Sequence, residues 1–306
     1  MPTARALPLV ADSRFAAIRE LIGNRTVRYI SGSGNAGDTL IHAGARCLFR
    51  RINTRVVDDT ELPDFVLWCG GGNLGTIWPH CHMERQRQLR EAREKGIPFV
   101  IMPQSATNAE ESFPDDVQIF LRETGSQTIY PRSTLAPDLS LAFDEDLSAY
   151  VSVVPRFPAG VFLRTDQESS RQFNSGLSLG DPIRIARNYH DYFSLISLFQ
   201  TIVTDRLHFT ISALMLGRET VLLPNSYHKN RGVYEAWLAD LGCHFGHGAM
   251  MDILGKTSYA PKRARAEFEP YCRSIQPEDR RKNSLARILS GATKTWRRLL
   301  RPSAEN

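Results

Sequence analysis

Arg206 and His208, in the segment TDRLHF, place a permanent cation two residues from an imidazole. An arginine takes a phosphate or carboxylate through its planar fork, and a histidine beside it can give or take a proton. The pair follows the apolar run QTIVT and opens HFTISALMLG, whose pattern predicts a helix. Both side chains are therefore expected at a strand's carboxyl end and a helix start, where free backbone N–H groups also favour anions. Taken alone, the same two residues would equally suit a surface arginine and a capping histidine.

Two glycine-rich turns are the next candidates. SGSGNAGDTLIHAG lies between a predicted strand and a predicted helix, with Gly34 and Gly37 allowing close backbone approach, Asp38 placed to cap the helix and Asn35 placed to reach a ligand. Its spacing is not that of a dinucleotide fingerprint, and a plain strand-to-helix turn would look the same. WCGGGNLG, residues 68–75, sets Gly70, Gly71 and Gly72 after an apolar strand, a costly choice unless something must come close. Their amides are candidate donors to a carboxylate or phosphate. Arg122 in IFLRETG, Arg164 in VFLRTD and Lys229 in PNSYHKN each stand at or just after an apolar run. Any one of these would pass for solvated surface, but the repetition suggests an anion site. His80, Cys81 and His82 are adjacent and cannot easily close on one tetrahedral metal, so no metal site is expected.

The elements that must position these residues alternate in the α/β manner. TVRYISG, RVVDD, DFVLWCGGGNLG and IPFVIMPQS read as strands; TLIHAGARCLFRRI and MERQRQLREAREKG read as helices; VQIFLRETG and SQTIYPRS continue the series. LAPDLSLAFDEDLSAY reads as a crossover. AGVFLRTD then opens a second series, with strands TIVTD and TVLLP and a helix GVYEAWLADLG. The expected organisation is a first α/β domain over 1–145, a second over 146–260, and a basic tail over 261–306. Two such domains facing each other would hold a ligand at the carboxyl ends of their strands.

The chain's 306 residues suit two domains of ordinary size, and its 42% apolar content is that of a globular protein. The net charge of +5 is uneven: residues 261–306 hold 12 lysines and arginines against 5 acids, leaving the remainder slightly negative. No nucleic-acid partner is expected from that body. Five dispersed cysteines, an odd number, point to a reducing compartment, and no secretory signal or membrane span is evident. A cytoplasmic location is expected.

Taken in order, GNAGDTLIHAG, CGGGNLG, IPFVIMPQS, LRETGS, APDLSLAF, VFLRTD, LISLFQTIVTDRLHFTISALMLG and LLPNSYHKN resemble the polysaccharide pyruvyl transferase family, over residues 27–245. The resemblance implies two Rossmann-like domains in the GT-B glycosyltransferase arrangement. It also implies transfer of a pyruvyl group from phosphoenolpyruvate to sugar hydroxyls of a polysaccharide or its lipid-linked precursor, giving a pyruvate ketal. Arg206 and His208 match the family's Arg-Leu-His element, and Gly34–Asp38 its Gly-Asn-x-Gly-Asp element. The donor's carboxylate and phosphate would need cationic clamps, for which Arg206, Arg164 and Lys229 are candidates. His208 is the candidate acid, and no cofactor beyond the donor is implied. Two alternatives share the architecture: a nucleotide-sugar glycosyltransferase, for which no ribose-binding glutamate stands out, and a catalytically silent assembly partner.

Residues 285–301 place Leu285, Ile288, Leu289, Ala292, Trp296, Leu299 and Leu300 on one helical stripe opposite a basic face. That stripe suits either a peripheral contact with an anionic inner membrane face or packing on the protein itself.

Overall fold

The computed structural model describes residues 8–274 other than Ser33, Arg171, Asn174 and Ser258. The tail helix expected over 285–301 lies outside the described residues. Short apolar runs form two wholly parallel sheets. The first contains β1 (Thr26–Ile30), β2 (Arg55–Val56), β3 (Phe65–Trp68), β4 (Gly71–Leu74), β5 (Phe99–Ala106), β6 (Gln118–Leu121) and β7 (Thr134–Leu135). Its order is β2-β1-β3-β5-β6-β7, with β4 pairing to β5 beside that path. The second contains β8 (Phe157–Phe162), β9 (Phe199–Thr204), β10 (Glu219–Leu222) and β11 (His244–Phe245), in the order β11-β10-β9-β8. Parallel strands covered on both faces are largely apolar, and every residue of β5 is buried, its Gln104 and Ser105 included.

In the first sheet β1 leads outward to β2, while β3 lies on β1's other side. The order reverses between β1 and β3, and a crevice is expected outside their carboxyl ends. The turn Gly34–Asp38 and the glycine strand β4 are the segments that follow those two ends.

Helix α1 (Ala16–Ile22) precedes β1, and α2 (Ala36–Arg51) follows it. The Asn35 side chain accepts from the Gly37 N–H at 2.8 Å and the Asp38 carboxylate accepts from the Asn35 N–H at 2.7 Å, forming a capping box. Gly44 on α2 lets the turn Leu139–Ala142 dock on the helix, since a Cβ there would stand 2.0 Å from the Leu139 carbonyl oxygen. Helix α3 (Pro79–Glu94) joins β4 to β5, and α4 (Thr124–Ile129) lies between β6 and β7. The short α5 (Ser148–Val151) and α6 (Pro182–Ile185), then α7 (Tyr189–Ser197) and α8 (Leu207–Met215), belong to the second half. They are followed by α9 (Lys229–Val233), α10 (Gly246–Lys256) and α11 (Pro261–Ser274).

Helices α7 and α8 pack on α2, so a single cluster of buried side chains runs between the sheets, from Val27, Leu67 and Val100 to Phe162, Ile202 and Leu222. Residues 261–274, grouped in the sequence reading with the basic tail, form α11. Its Phe268 is buried against Phe157, Phe162 and Phe199. SQTIYPRS, read as a continuing element of the strand series, begins inside α4, because the Glu123 carboxylate caps the helix by accepting from the Ser126 N–H at 2.7 Å.

Candidate active site

Strand β9 ends at Thr204, and Arg206 is the N-cap of α8 in extended conformation. Its side chain reaches the loop after β8. Nε and Nη2 donate to the two Asp181 oxygens at 2.9 and 2.6 Å, and Nη2 also lies 2.9 Å from Asp166. Among the described residues Nη1 makes no hydrogen bond. The pairing of Phe162 with Thr204 sets the ends of β8 and β9 level, and the Arg164 N–H donates to Asp205 at 2.7 Å. The Arg164 guanidinium donates to Asp166 at 2.8 and 3.1 Å and to Glu168 at 2.6 Å, so all three of its nitrogens are engaged. Glu168 also accepts from the Lys229 ammonium at the start of α9 and, at 3.4 Å, from the Trp78 indole N–H.

His208, in the first turn of α8, faces the other sheet. Its Nε2 lies 3.2 Å from Oδ2 of Asp138, which also accepts from Nη1 of Arg122. Arg122 follows β6 and donates Nε to Ser105 at 2.8 Å, while the Trp237 indole N–H donates to its carbonyl at 2.6 Å. Gly72 leaves room for these cations: a Cβ there would stand 3.0 Å from Nη2 of Arg122 and 3.5 Å from Nζ of Lys229. Gly71, at φ +146°, occupies backbone space that side-chain-bearing residues rarely adopt. Asn73 behind it is anchored by Arg85, which is itself paired with Glu111 and stacked 5.3 Å over Trp68.

Arg122, Arg164, Arg206, Lys229 and His208 line one cleft of about 340 Å³ with Asn35, Asp38, Gly72 and Trp78. The first turns of α2, α3 and α8 meet there, and neither α3 nor α8 has a side-chain cap. Three helix starts add positive potential to the four cations. Burial alone would raise the Asp166 and Glu168 carboxyls. Arg164 with Arg206, and Lys229 with Arg164, override it and hold both at about 2. Burial likewise opposes ionisation of Asp138, but His208 and Arg122 hold it well below the usual carboxylate range. Burial lowers the Lys229 ammonium to about 8, with Arg164 and Arg122 adding to that effect and Glu168 opposing it. Asp205 is pushed up to about 6 by burial. The donors left for an anion are Nη2 of Arg122, Nη1 of Arg206 and the remaining protons of Lys229; Arg164 chiefly holds the acids in place.

Of the sequence candidates, Asn35, Asp38, Gly72, Arg122, Arg164, Arg206, His208 and Lys229 come together here, while Gly70 and Gly71 do not line the cleft. Asn35 and Asp38 are engaged in capping each other's turn. His80 and Cys81 reach the cleft, but His82 turns to Glu111 at 3.3 Å. The sequence reading passed over the acids Asp138, Asp166, Glu168 and Asp181. Asp166 and Glu168 had a local signal, standing two and four residues after Arg164. Asp138 and Asp181 had none that spacing reveals.

A cleft of paired arginines, a lysine and a histidine between two parallel sheets defines an α/β protein equipped to bind an anionic substrate. A profile described as Polysaccharide pyruvyl transferase matches residues 35–227, more than half of the chain. The protein belongs to that family and is a transferase. It is 22% identical to the Bacillus subtilis (strain 168) protein named "Putative pyruvyl transferase EpsO", over 267 residues covering 67% of this chain and 82% of that one. It is also similar to a solved structure of an uncharacterized protein of Klebsiella pneumoniae subsp. pneumoniae NTUH-K2044. The TM-score is 0.58 at 22% identity, covering 76% of this chain and 97% of that one, a likeness of fold.

Proposed function

We propose that the protein moves a pyruvyl group from phosphoenolpyruvate onto two hydroxyls of a sugar in a polysaccharide or its lipid-linked precursor, forming a ketal. The observation that carries this reading is the gathering of Arg122, Arg206, Lys229 and His208 around one cleft, with unengaged donors on each cation. The donor has two anionic groups, and a clamp on each would fix the enol carbons between them. In the reaction the methylene carbon gains a proton and becomes a methyl group. The adjacent carbon forms bonds to two sugar oxygens and loses its bond to the phosphate oxygen. One hydroxyl proton is thus accounted for in the methyl group, and the other leaves with phosphate. His208 is the group proposed to move the first of these.

No cofactor enters this scheme, because phosphoenolpyruvate already carries the group in activated form. Residues 1–145 and 146–260 are proposed as two Rossmann-like halves of a GT-B-like arrangement, each with its own parallel sheet. The described residues include no helix long and apolar enough to cross a membrane. A cytoplasmic enzyme meeting lipid-linked acceptors through residues 285–301 fits the scheme. A chain ending at Asp279 should then pellet less with anionic vesicles than the full chain, and equal pelleting would remove the tail from this role. The reaction itself is tested by incubating the protein with phosphoenolpyruvate and a panel of glycosides. Phosphate release that depends on a particular glycoside supports it, and release indifferent to every glycoside counts against it.

A further inference from the structure

We propose that the nitrogen of His208 that exchanges protons with substrate is Nδ1, that Asp138 is the positioning residue that makes it so, and that Gly37 keeps the space beside it open. For the identity of the substrate this rests on the pyruvyl-transfer reading; the assignment of the nitrogens does not.

An ionised carboxylate has no proton to give, so it accepts from whatever it faces. Oδ2 of Asp138 faces Nε2 of His208 at 3.2 Å and also takes Nη1 of Arg122. Oδ1 accepts from the Ser140 N–H at 2.9 Å and its hydroxyl at 2.6 Å. With both oxygens committed as acceptors and Arg122 beside it, Asp138 stays ionised, and the proton of neutral His208 belongs on Nε2. A neutral imidazole then has its lone pair on Nδ1. Among the described residues Nδ1 makes no hydrogen bond. Instead it looks onto Gly37, where a Cβ would stand 2.8 Å from Nδ1 and 2.9 Å from Cβ of His208. Gly37 and His208 both line the cleft. A side chain at residue 37 would fill the approach to Nδ1, and the collision with Cβ, close to the helix backbone, could not be relieved by rotating the ring. The glycine in the first turn of α2 thus serves the histidine of the other half of the molecule.

The cycle balances on this atom. Protonated Nδ1 gives its proton to the methylene carbon of phosphoenolpyruvate, which becomes methyl as the adjacent carbon accepts the first sugar oxygen. The proton of that hydroxyl returns to the Nδ1 lone pair. The second hydroxyl then replaces phosphate, and its proton departs with the phosphate. Asp138 holds Nε2–H throughout and stabilises the imidazolium form.

The test is nitrogen-15 spectroscopy of ring-labelled histidine in the full chain, with the His208 signals assigned by their loss in His208→Gln. The neutral ring should carry its proton on Nε2 in the wild type, and should lose that preference in Asp138→Ala, which removes the acceptor facing Nε2. A neutral wild-type ring protonated on Nδ1 overturns the proposal, whether or not the Asp138 variant folds. Asp138→Ala should lower kcat by on the order of 10³–10⁴, the size expected when the imidazole loses its fixed tautomer. Gly37→Ala should keep the Nε2–H tautomer yet lower kcat by roughly 100-fold or more. A Gly37→Ala enzyme within about threefold of wild-type kcat removes Nδ1 from the reaction. If the substrate reading is at fault, the wild type will not turn over phosphoenolpyruvate at all, while the tautomer still reports on Asp138.

Discussion

Removing the Arg206 side chain should have two separable effects. Its partner Asp181 has no exposed side-chain surface, and Arg206 itself is only 7% exposed there. Arg206→Ala would leave Asp181 buried and charged, a loss of about 3–5 kcal/mol for a buried pair. Asp181 keeps its bonds from the Thr165 N–H at 2.9 Å and the Ile183 N–H at 3.3 Å, which places the expected cost nearer the lower figure. Asp181→Asn in the same chain removes the stranded charge and should restore at least half of that stability. Donor affinity should not recover with it. A charge-assisted hydrogen bond from Nη1 to the donor is worth about 1.5–3 kcal/mol, or about 10- to 150-fold in Kd. Urea unfolding followed by tryptophan fluorescence reads the first effect, and calorimetric titration with phosphoenolpyruvate reads the second. Recovery of donor affinity in the double variant would show that Arg206 acts only as the counter-ion of Asp181. Unchanged stability in Arg206→Ala would refute the reading of the ion pair.

Further outcomes follow from the same geometry. His208→Gln should reduce turnover by roughly 10²–10⁴ in a protein that still folds, and near-normal turnover would return the histidine to a capping role. The Lys229 ammonium is lowered to about 8, so its charge is lost as pH rises through that value. Donor affinity should therefore weaken above about pH 8, and Lys229→Met should bind more weakly and flatten that dependence; a wild-type affinity level to pH 9.5 would contradict it. The Asp205 carboxyl is raised to about 6 in the fold, so its protonated form is favoured there and stability falls as pH rises from about 4 through 6. Asp205→Asn keeps an acceptor for the Arg164 N–H and should be at least as stable as wild type at pH 7, losing that advantage below pH 5; marked destabilisation at pH 7 would refute this.

The cations were legible because a charged residue one or two positions after an apolar strand lies at the carboxyl edge of a sheet. Arg122, Arg164 and Arg206 all follow that rule. Their counter-ions were not legible, since ion pairing is a tertiary event. Asp181 reaches Arg206 across 25 residues, and Asp138 reaches His208 across 70. Asp138 stood inside a segment read as a crossover, where only the docking of Leu139 against Gly44 reveals its placement. Gly37 was read as a turn residue that lets a ligand approach, whereas in the fold a Cβ at this position would run into the His208 side chain. Helix α9 begins at Lys229, ahead of the expected GVYEAWLADLG, and the chain then widens into a π-helical turn over Tyr234–Leu238. Aromatic and β-branched residues in that stretch gave no sharp helix start. The elements after residue 245, α10 and α11, were missed because α10 carries Gly246, Gly248 and Gly255, poor helix formers, and α11 has few apolar positions among many charges.

In the proposed reaction a proton must reach the donor's methylene carbon as the pyruvyl group moves to sugar. The most direct measurement is turnover of phosphoenolpyruvate with an accepting glycoside in deuterated water, with the product followed by mass and proton spectra. One phosphate should be released for each ketal formed, with one deuterium in each ketal methyl group. Consumption of a nucleotide-sugar in place of phosphoenolpyruvate, or a ketal methyl without deuterium, would contradict it.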